Sequence, residues 1–301
     1  MNILVQRSKK LKNTLNISLF MKTKVFEKNF PNWNIENIID QLDNFISIYE
    51  KRPIKNNKGG MLFSHMFFFY IVLKNLNPNL VIESGVYKGQ STWLIEKTLP
   101  EAEIISLDID LSKREYISKK VFYSSRDFKF QNFKNVDKNS LVFFDDHVNH
   151  IDRINDANFF GIKNIVLEDN YPAYTGDFQS LKQIYNDHIF NHTPNLLSIL
   201  KTIFLFNKIS FRKIISKTYN AKEDIDNITK RIRDGYSEKN KFEIIDNLFD
   251  IYFEFPPLLK NDKYFNDGIT KKPLLEKIPE KLSNYSNEIN YFNYLTYIKL
   301  K

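Results

Sequence analysis

Between Asn79 and Asn170, short continuous apolar runs alternate with stretches whose apolar positions recur every three to four residues. The runs "LVIESG", "AEIISLDID", "VFYSS", "SLVFFDDH" and "IKNIVLEDN" predict strands, and "STWLIEKTL", "SKREYISKK" and "HIDRINDANFFG" predict the helices between them. Strands that are apolar on both faces, joined by helices, predict a doubly wound α/β core with a parallel sheet covered on both sides. Upstream, "WNIENIIDQLDNFISIY" from Trp33 to Tyr49 predicts a helix, and "RPIKNNKGG" predicts a loop ending on Gly59 and Gly60. "MLFSHMFFFYIVL" from Met61 is shorter than the ~20 residues of a membrane span and predicts a helix buried against the sheet.

After Asn170 the alternation stops. A Lys- and Arg-rich helical insertion is expected over 171–250, with "AYTGDFQS" as a lid hinged at Gly176 and carrying Tyr174. "IYFEFPPLL" and "YFNYLTYIKL" return to strand-forming composition and close the sheet edge. The expected organisation is an N-terminal helical arm and cap over 1–60, a cofactor-binding α/β core over 61–170, the insertion over 171–250 and the last two strands within 251–301.

Composition narrows the function classes. With 301 residues, 42% apolar and 15% aromatic, the chain has globular composition and can bury a large core. The absence of cysteine excludes disulfides, thiolate zinc sites and cysteine nucleophiles, and it fits a reducing compartment, so a cytoplasmic location is expected. The net charge of +8 comes from basic residues interleaved with acids, which reads as a basic surface and not as a nucleic-acid face. "MNILVQRSKKLKNTLNISLF" has neither the continuous apolar core nor the small-residue cleavage site of a signal peptide; it reads as an exposed or frayed terminus, with a basic amphipathic arm on a membrane surface as the alternative.

Glycine is scarce, at 8 residues, yet "VIESGVYKGQS" places Gly85 and Gly89 directly after a strand and a glutamate. A glycine turn between a strand and a helix lets the backbone turn tightly and a ligand approach closely, the arrangement that binds adenosine-containing cofactors. The spacing is not that of the dinucleotide fingerprint, and Glu83 ahead of it suits a positively charged ligand. Asp108, 23 residues beyond Gly85 at the end of the second strand, is placed to accept hydrogen bonds from ribose hydroxyls. Asp127 in "SSRDF" reads either as a contact to an adenine amino group or as a helix N-cap.

A second constellation joins "FFDDHVNH" to "VLEDNYP". Both follow apolar strands, so Asp145, Asp146 and His147 share the ligand-binding edge of the sheet with Glu168, Asp169 and Asn170. Carboxylates that close repel unless a cation or protons intervene, and an oxygen-rich, thiol-free set favours magnesium, calcium or manganese. Helix caps or lysine pairs are the structural alternative. His147 or His150 could also join the metal shell, shifting preference toward iron, manganese or zinc. His65 reads as a core histidine or one packed behind the site, and His188 and His192 as surface residues of the insertion.

"VIESGVYKGQS" followed by "IISLDID" resembles class I S-adenosylmethionine-dependent methyltransferases. Among them the chain is most similar to the macrocin-type sugar O-methyltransferases and the related cephalosporin hydroxylase-like group, over roughly 57–180 and the terminal strand. The resemblance implies a Rossmann-like sheet of seven strands with the last antiparallel, and it places Glu83, Gly85 and Gly89 along the methionine part of the cofactor and Asp108 on the ribose. Ser91, opening the next helix, joins that cofactor-binding set. The resemblance also makes Asp145, Glu168 and Asp169 the ligands of a divalent cation, magnesium first, and His147 (or Asp146) the general base. Histidine replaces aspartate at the base position and Glu-Asp replaces Asp-Asp in the pair.

The leading expectation is therefore an S-adenosylmethionine-dependent, divalent-metal-assisted O-methyltransferase acting on a hydroxyl of a sugar- or polyol-like small molecule. No nucleic-acid partner is expected, and a homo-oligomer is allowed. One alternative is a metal-dependent hydroxylase on the same fold, using His147, His150 and Asp145 or Glu168. The other is a non-catalytic protein that binds nucleic acid or membrane through basic residues such as "KISFRKIISK".

Overall fold

The computed structural model describes residues 29–171, 178–184, 247–259, 273–289 and 293–301. Nearly all of the expected insertion, with Tyr174, Gly176, His188, His192 and the basic run, lies outside the described residues, as does the N-terminal arm to residue 28.

Two helices precede the sheet. Helix α1, Ile35–Tyr49, starts where the Asn34 side chain accepts the Asn37 amide, and it buries Ile38, Leu42, Phe45 and Tyr49 along one face. Helix α2, Phe63–Leu76, has every residue from Phe63 to Leu73 buried except His65, and it ends on Asn77 in the left-handed conformation. A helix apolar all round needs cover on all sides, and here it lies between α1 and the sheet.

The sheet then builds from β1 (Leu80–Ser84), α3 (Gln90–Thr98), β2 (Glu103–Leu107), β3 (Val121–Ser124), β4 (Leu141–Phe144), α4 (His150–Phe159) and β5 (Asn164–Leu167). Strand β6 (Phe249–Glu254), the short helix α5 (Ser286–Ile289) and β7 (Thr296–Leu300) complete it. The seven strands lie in the order β3-β2-β1-β4-β5-β7-β6, all parallel except β7, which runs antiparallel to both β5 and β6. The expected doubly wound, Rossmann-like sheet with an antiparallel last strand is the observed one.

Alternate residues of each strand feed two separate cores, as the two-residue period requires. Val81, Phe143, Val166 and Tyr297 face α1, α2 and α3, while Ile82, Val142, Ile165 and Ile298 face α4. This explains why the strands read as unbroken apolar runs. Among the described residues no helix is long and apolar enough to cross a membrane.

One expected helix is not there. The stretch "SKREYISKK" forms only a 3-10 turn at Leu111–Lys113 and then an extended strap. The amides of Glu115 and Tyr116 both donate to the Lys88 carbonyl at 2.9 Å, Lys88 pairs with Glu115 at 2.7 Å, and the Tyr116 hydroxyl reaches Glu96 at 2.6 Å. Those contacts hold the strap across the turn that follows β1, and they use amides a helix would need for itself.

Candidate functional site

Four parallel strands end in register at one edge. Ser84, Leu107, Phe144 and Leu167 are neighbours across β2, β1, β4 and β5, and pairing runs one step further through Gly85, Asp145 and Glu168. Chain order reverses between β1 and β4, which makes this edge the crevice where open α/β sheets bind ligands.

The turn after β1 is braced from below and from both sides. Glu83 is fully buried, and its Oε2 accepts from Thr92 Oγ1 at 2.5 Å and Ser106 Oγ at 2.6 Å, with the Ser91 hydroxyl also favouring the charged carboxylate. Burial, only partly offset by those hydroxyls, pushes its pKa up to about 7. Its Oε1 has no partner, and neither do the two side-chain polar atoms of buried Gln90, the first residue of α3.

Both glycines have protein neighbours. A Cβ on Gly85 (φ +99°) would stand 2.0 Å from the Asp145 carbonyl oxygen, and one on Gly89 (φ +89°) would stand 2.8 Å from that of Tyr116. Close approach of the β4 loop and of the strap therefore requires glycine at each position.

Asp108 caps the same turn. Its Oδ2 accepts the Val86 and Tyr87 amides, each at 2.9 Å, and its Oδ1 accepts Asp110 N at 2.9 Å. A carboxylate has about four acceptor positions, so one remains on Oδ1 for a ligand hydroxyl. Asp127 is the N-cap of the Phe128–Phe130 turn and is doubly bonded to Arg153, at 3.1 and 2.7 Å; the guanidinium holds its carboxyl below the usual range. The capping reading of Asp127 is thus realised.

Across the crevice lies the acidic cluster. Asp145, His147 and Asp169 each offer a ligand atom within 4.8 Å of the other two. His147 Nε2 is 3.8 Å from Asp169 Oδ2, and its ring is half exposed. Burial, then Glu168 and Asp169, push the Asp145 carboxyl well above its ordinary range. Glu168 is pushed up as well, by burial first and then by Asp169. These shifts are what carboxylates crowded without a counter-cation produce. With Phe144, Val148 and Phe178 they line a narrow cleft.

Three loop residues at this edge, Tyr87, His147 and Asp169, hold left-handed backbone at φ 46°, 56° and 57°. For non-glycine residues that conformation costs about 1–2 kcal/mol each, and it is kept where surrounding contacts over-determine it.

Asp146 and His150 do not join the cluster. Asp146 Oδ2 accepts from Ser84 Oγ at 2.5 Å and pairs with Arg153 at 2.8 Å. His150 is buried with both ring nitrogens engaged: Nδ1 accepts the Leu181 amide at 3.3 Å, so Nε2–H donates to the Glu168 carbonyl at 3.1 Å. Burial lowers its pKa to about 4, and it stays neutral. The pair of histidines that a hydroxylase would draw from His147 and His150 is therefore not assembled.

Sequence reasoning did not name Arg153, and it named His65 and Asn170 without their partners. His65 of α2 places Nδ1 at 2.5 Å from Glu168 Oε1. Arg153, buried on α4, ties Asp127, Asp146 and Asp156 together. Asn170 bonds Tyr252 of β6 at 2.9 Å, Thr296 of β7 at 2.8 Å and the Lys182 amide at 2.9 Å, fastening the end of β5. The signals in the sequence were the polar character of His65 within an apolar helix and the strand-end position of Asn170.

No family model and no curated protein matches this chain. Among solved structures it is similar to CmcI with SAH, at 20% identity over 34% of this chain and 52% of that one, TM-score 0.29. Similar values hold for CmcI with Mg and SAM, at 19% identity over 46% and 59%, TM-score 0.30. A candidate caffeoyl-CoA O-methyltransferase of Staphylococcus aureus aligns over 97% of this chain and 99% of that one, at 11% identity and TM-score 0.37. The chain spans only 52–60% of the length of the CmcI structures. Superpositions this loose carry no argument about activity, which rests on the site's own geometry.

Proposed function

We propose that the chain is an S-adenosylmethionine-dependent O-methyltransferase, assisted by a divalent cation and acting on a hydroxyl of a small sugar- or polyol-like molecule. One observation carries the reading: a braced glycine turn with a carboxylate cap faces, across the β1/β4 crevice, a cluster of crowded oxygen and nitrogen donors.

Both groups fit the residues present. The remaining acceptor position on Asp108 suits a ribose hydroxyl, and the unpartnered Glu83 Oε1 and Gln90 amide lie in the strand–turn–helix that would hold the methionine part. Gly85, Gly89 and Ser91 shape that turn from the protein side. Asp145, Glu168 and Asp169 would hold the cation, and a positive charge there would relieve the raised carboxyl pKa values of Asp145 and Glu168. When bound, the cofactor supplies an activated methyl group and the cation makes an acceptor hydroxyl more acidic.

The chain itself orients, encloses and deprotonates. His147 Nε2, at the open side of the cluster, takes the hydroxyl proton, and Asp169 beside it steadies the resulting charge. Asp146 is held by Arg153 and Ser84 and shapes the loop instead of acting as the base. Fixed alignment of donor and acceptor contributes much of the acceleration, since the methyl group arrives already activated.

Incubation with S-adenosylmethionine and a panel of vicinal diols, with magnesium or manganese and then with chelator, tests this. The expected result is a methylated diol and S-adenosylhomocysteine, both lost in chelator. Product unchanged by chelator would remove the cation, and no S-adenosylhomocysteine with any diol would count against methyl transfer.

A further inference from the structure

We infer that His65 is a positioning residue for the cation site: it orients the Glu168 carboxylate from the N-terminal half of α2. The inference rests on the reading of Glu168 as a cation ligand.

The placement follows from helix geometry. Phe69 stacks on Phe143 of β4 with ring centroids 4.3 Å apart, which fixes one face of α2 over the sheet. Four residues earlier, one turn toward the helix N-terminus, His65 shares that face and reaches the strand ends. Its Nδ1 lies 2.5 Å from Glu168 Oε1, with the two side chains 13% and 6% exposed, so little water competes for the contact. The edge of the Tyr294 ring lies 6.3 Å away between centroids.

The consequence concerns ligand number. With one acceptor position of Oε1 taken by His65, Glu168 is disfavoured from chelating a cation through both oxygens. That keeps the site from being saturated by carboxylate oxygens and leaves coordination positions for water or an acceptor hydroxyl. A hydrogen-bond partner behind a ligating carboxylate raises cation affinity by holding the group in its binding orientation, and losing such a partner costs about 10–100-fold. No other helix in the described chain brings a histidine to Glu168 by its ring nitrogen and side-chain oxygen, because His150 contacts only the Glu168 backbone carbonyl.

Calorimetric titration with Mn²⁺ tests the role in wild type, His65→Leu, His65→Asn and His65→Gln, with Asp145→Asn marking the site. Asparagine presents an amide nitrogen near where Nδ1 sits; glutamine presents one a bond further out. The expected result is one Mn²⁺ bound by wild type, affinity weakened about 10–100-fold in His65→Leu, and recovery to within about threefold of wild type in His65→Asn. The unfolding midpoint in chelator should not track that loss. Wild-type affinity in His65→Leu would overturn the proposal. Should His65→Leu not fold, equal affinities for His65→Asn and His65→Gln would do the same. No Mn²⁺ binding by wild type would remove the cation reading itself, and this role with it, a result distinct from a change confined to the His65 variants.

Discussion

Gly85 and Asp145 touch through their backbones: a side-chain carbon on Gly85 would fall 2.0 Å from the Asp145 carbonyl oxygen. The contact locks the turn after β1 to the loop after β4, so the two halves of the proposed site are set by one backbone-to-backbone approach. Pairing between Asp145 N and the Ser84 carbonyl at 2.8 Å holds it from the other side.

Gly85→Ala should therefore destabilise the chain by about 3 kcal/mol or more, since the carbonyl it meets is backbone and cannot swing away. Gly161 also has positive φ, at 75°, but nothing lies within 4 Å of its would-be Cβ. Gly161→Ala should cost only about 1–2 kcal/mol, the price of left-handed backbone alone. Urea unfolding of the two variants checks the difference; equal losses would mean the Asp145 contact does not matter.

Arg153 carries three carboxylates on one guanidinium, with its own side chain 3% exposed. Arg153→Met keeps much of the volume but strands Asp127 and Asp146 without their cation. A loss of about 3–5 kcal/mol is expected, as for breaking a buried pair from one side. Removing a partner as well, in Arg153→Met with Asp146→Asn, should recover part of it. A double variant no better than the single would separate Asp146 from this network.

Stability should respond to pH through two buried groups with opposite signs. Glu83 titrates near 7 in the fold against 4.5 ordinarily, so between those values the folded chain keeps a proton the unfolded chain has lost. Its contribution therefore falls as pH rises through that window and is level above it. His150, lowered from 6.5 to about 4, excludes a proton the unfolded chain takes up, so its contribution falls as pH drops from 6.5 to 4. The two oppose each other in wild type. Glu83→Gln removes the first, and its stability relative to wild type should climb from pH 4 to pH 8 by up to about 3 kcal/mol. Denaturation at several pH values reads this directly, and a constant offset between the two chains would contradict it.

Crowding of the strand-end carboxylates makes a separate forecast. Without a cation, Asp145→Asn relieves a carboxyl strained by burial and by Glu168 and Asp169. At neutral pH in chelator the variant should be more stable than wild type, because the amide carries no charge to be buried beside Glu168 and Asp169. Added Mg²⁺ or Mn²⁺ should raise the midpoint of wild type and leave the variant unmoved. A variant less stable than wild type in chelator would show that the cluster is neutralised within the protein.

The sheet was legible because strands covered on both faces leave continuous apolar runs, and its closing strands because "YLTYIKL" is rich in aromatic and β-branched residues. The strap over 114–118 was not, because its helical spacing competes with backbone bonds to Lys88 that only the folded turn creates. The strand-end acids could be found from position alone. Their division of labour could not: Asp146 turns to Arg153 and Glu168 to His65, partners that lie 7 and 103 positions away in the chain. The glycine pair was read as a tight turn open to a ligand, and at each glycine the structure adds a backbone neighbour that a Cβ would strike.

Calorimetric titration with S-adenosylmethionine, with and without Mg²⁺, on wild type and on Asp108→Asn decides whether this strand edge binds the cofactor. Asparagine keeps a carbonyl oxygen for the Val86 and Tyr87 amides but gives up the Asp110 amide bond together with acceptor capacity for ribose. Wild type should bind with micromolar affinity, weakened at least about tenfold in Asp108→Asn while the variant remains folded. No binding by well-folded wild type under either condition would contradict the proposed function.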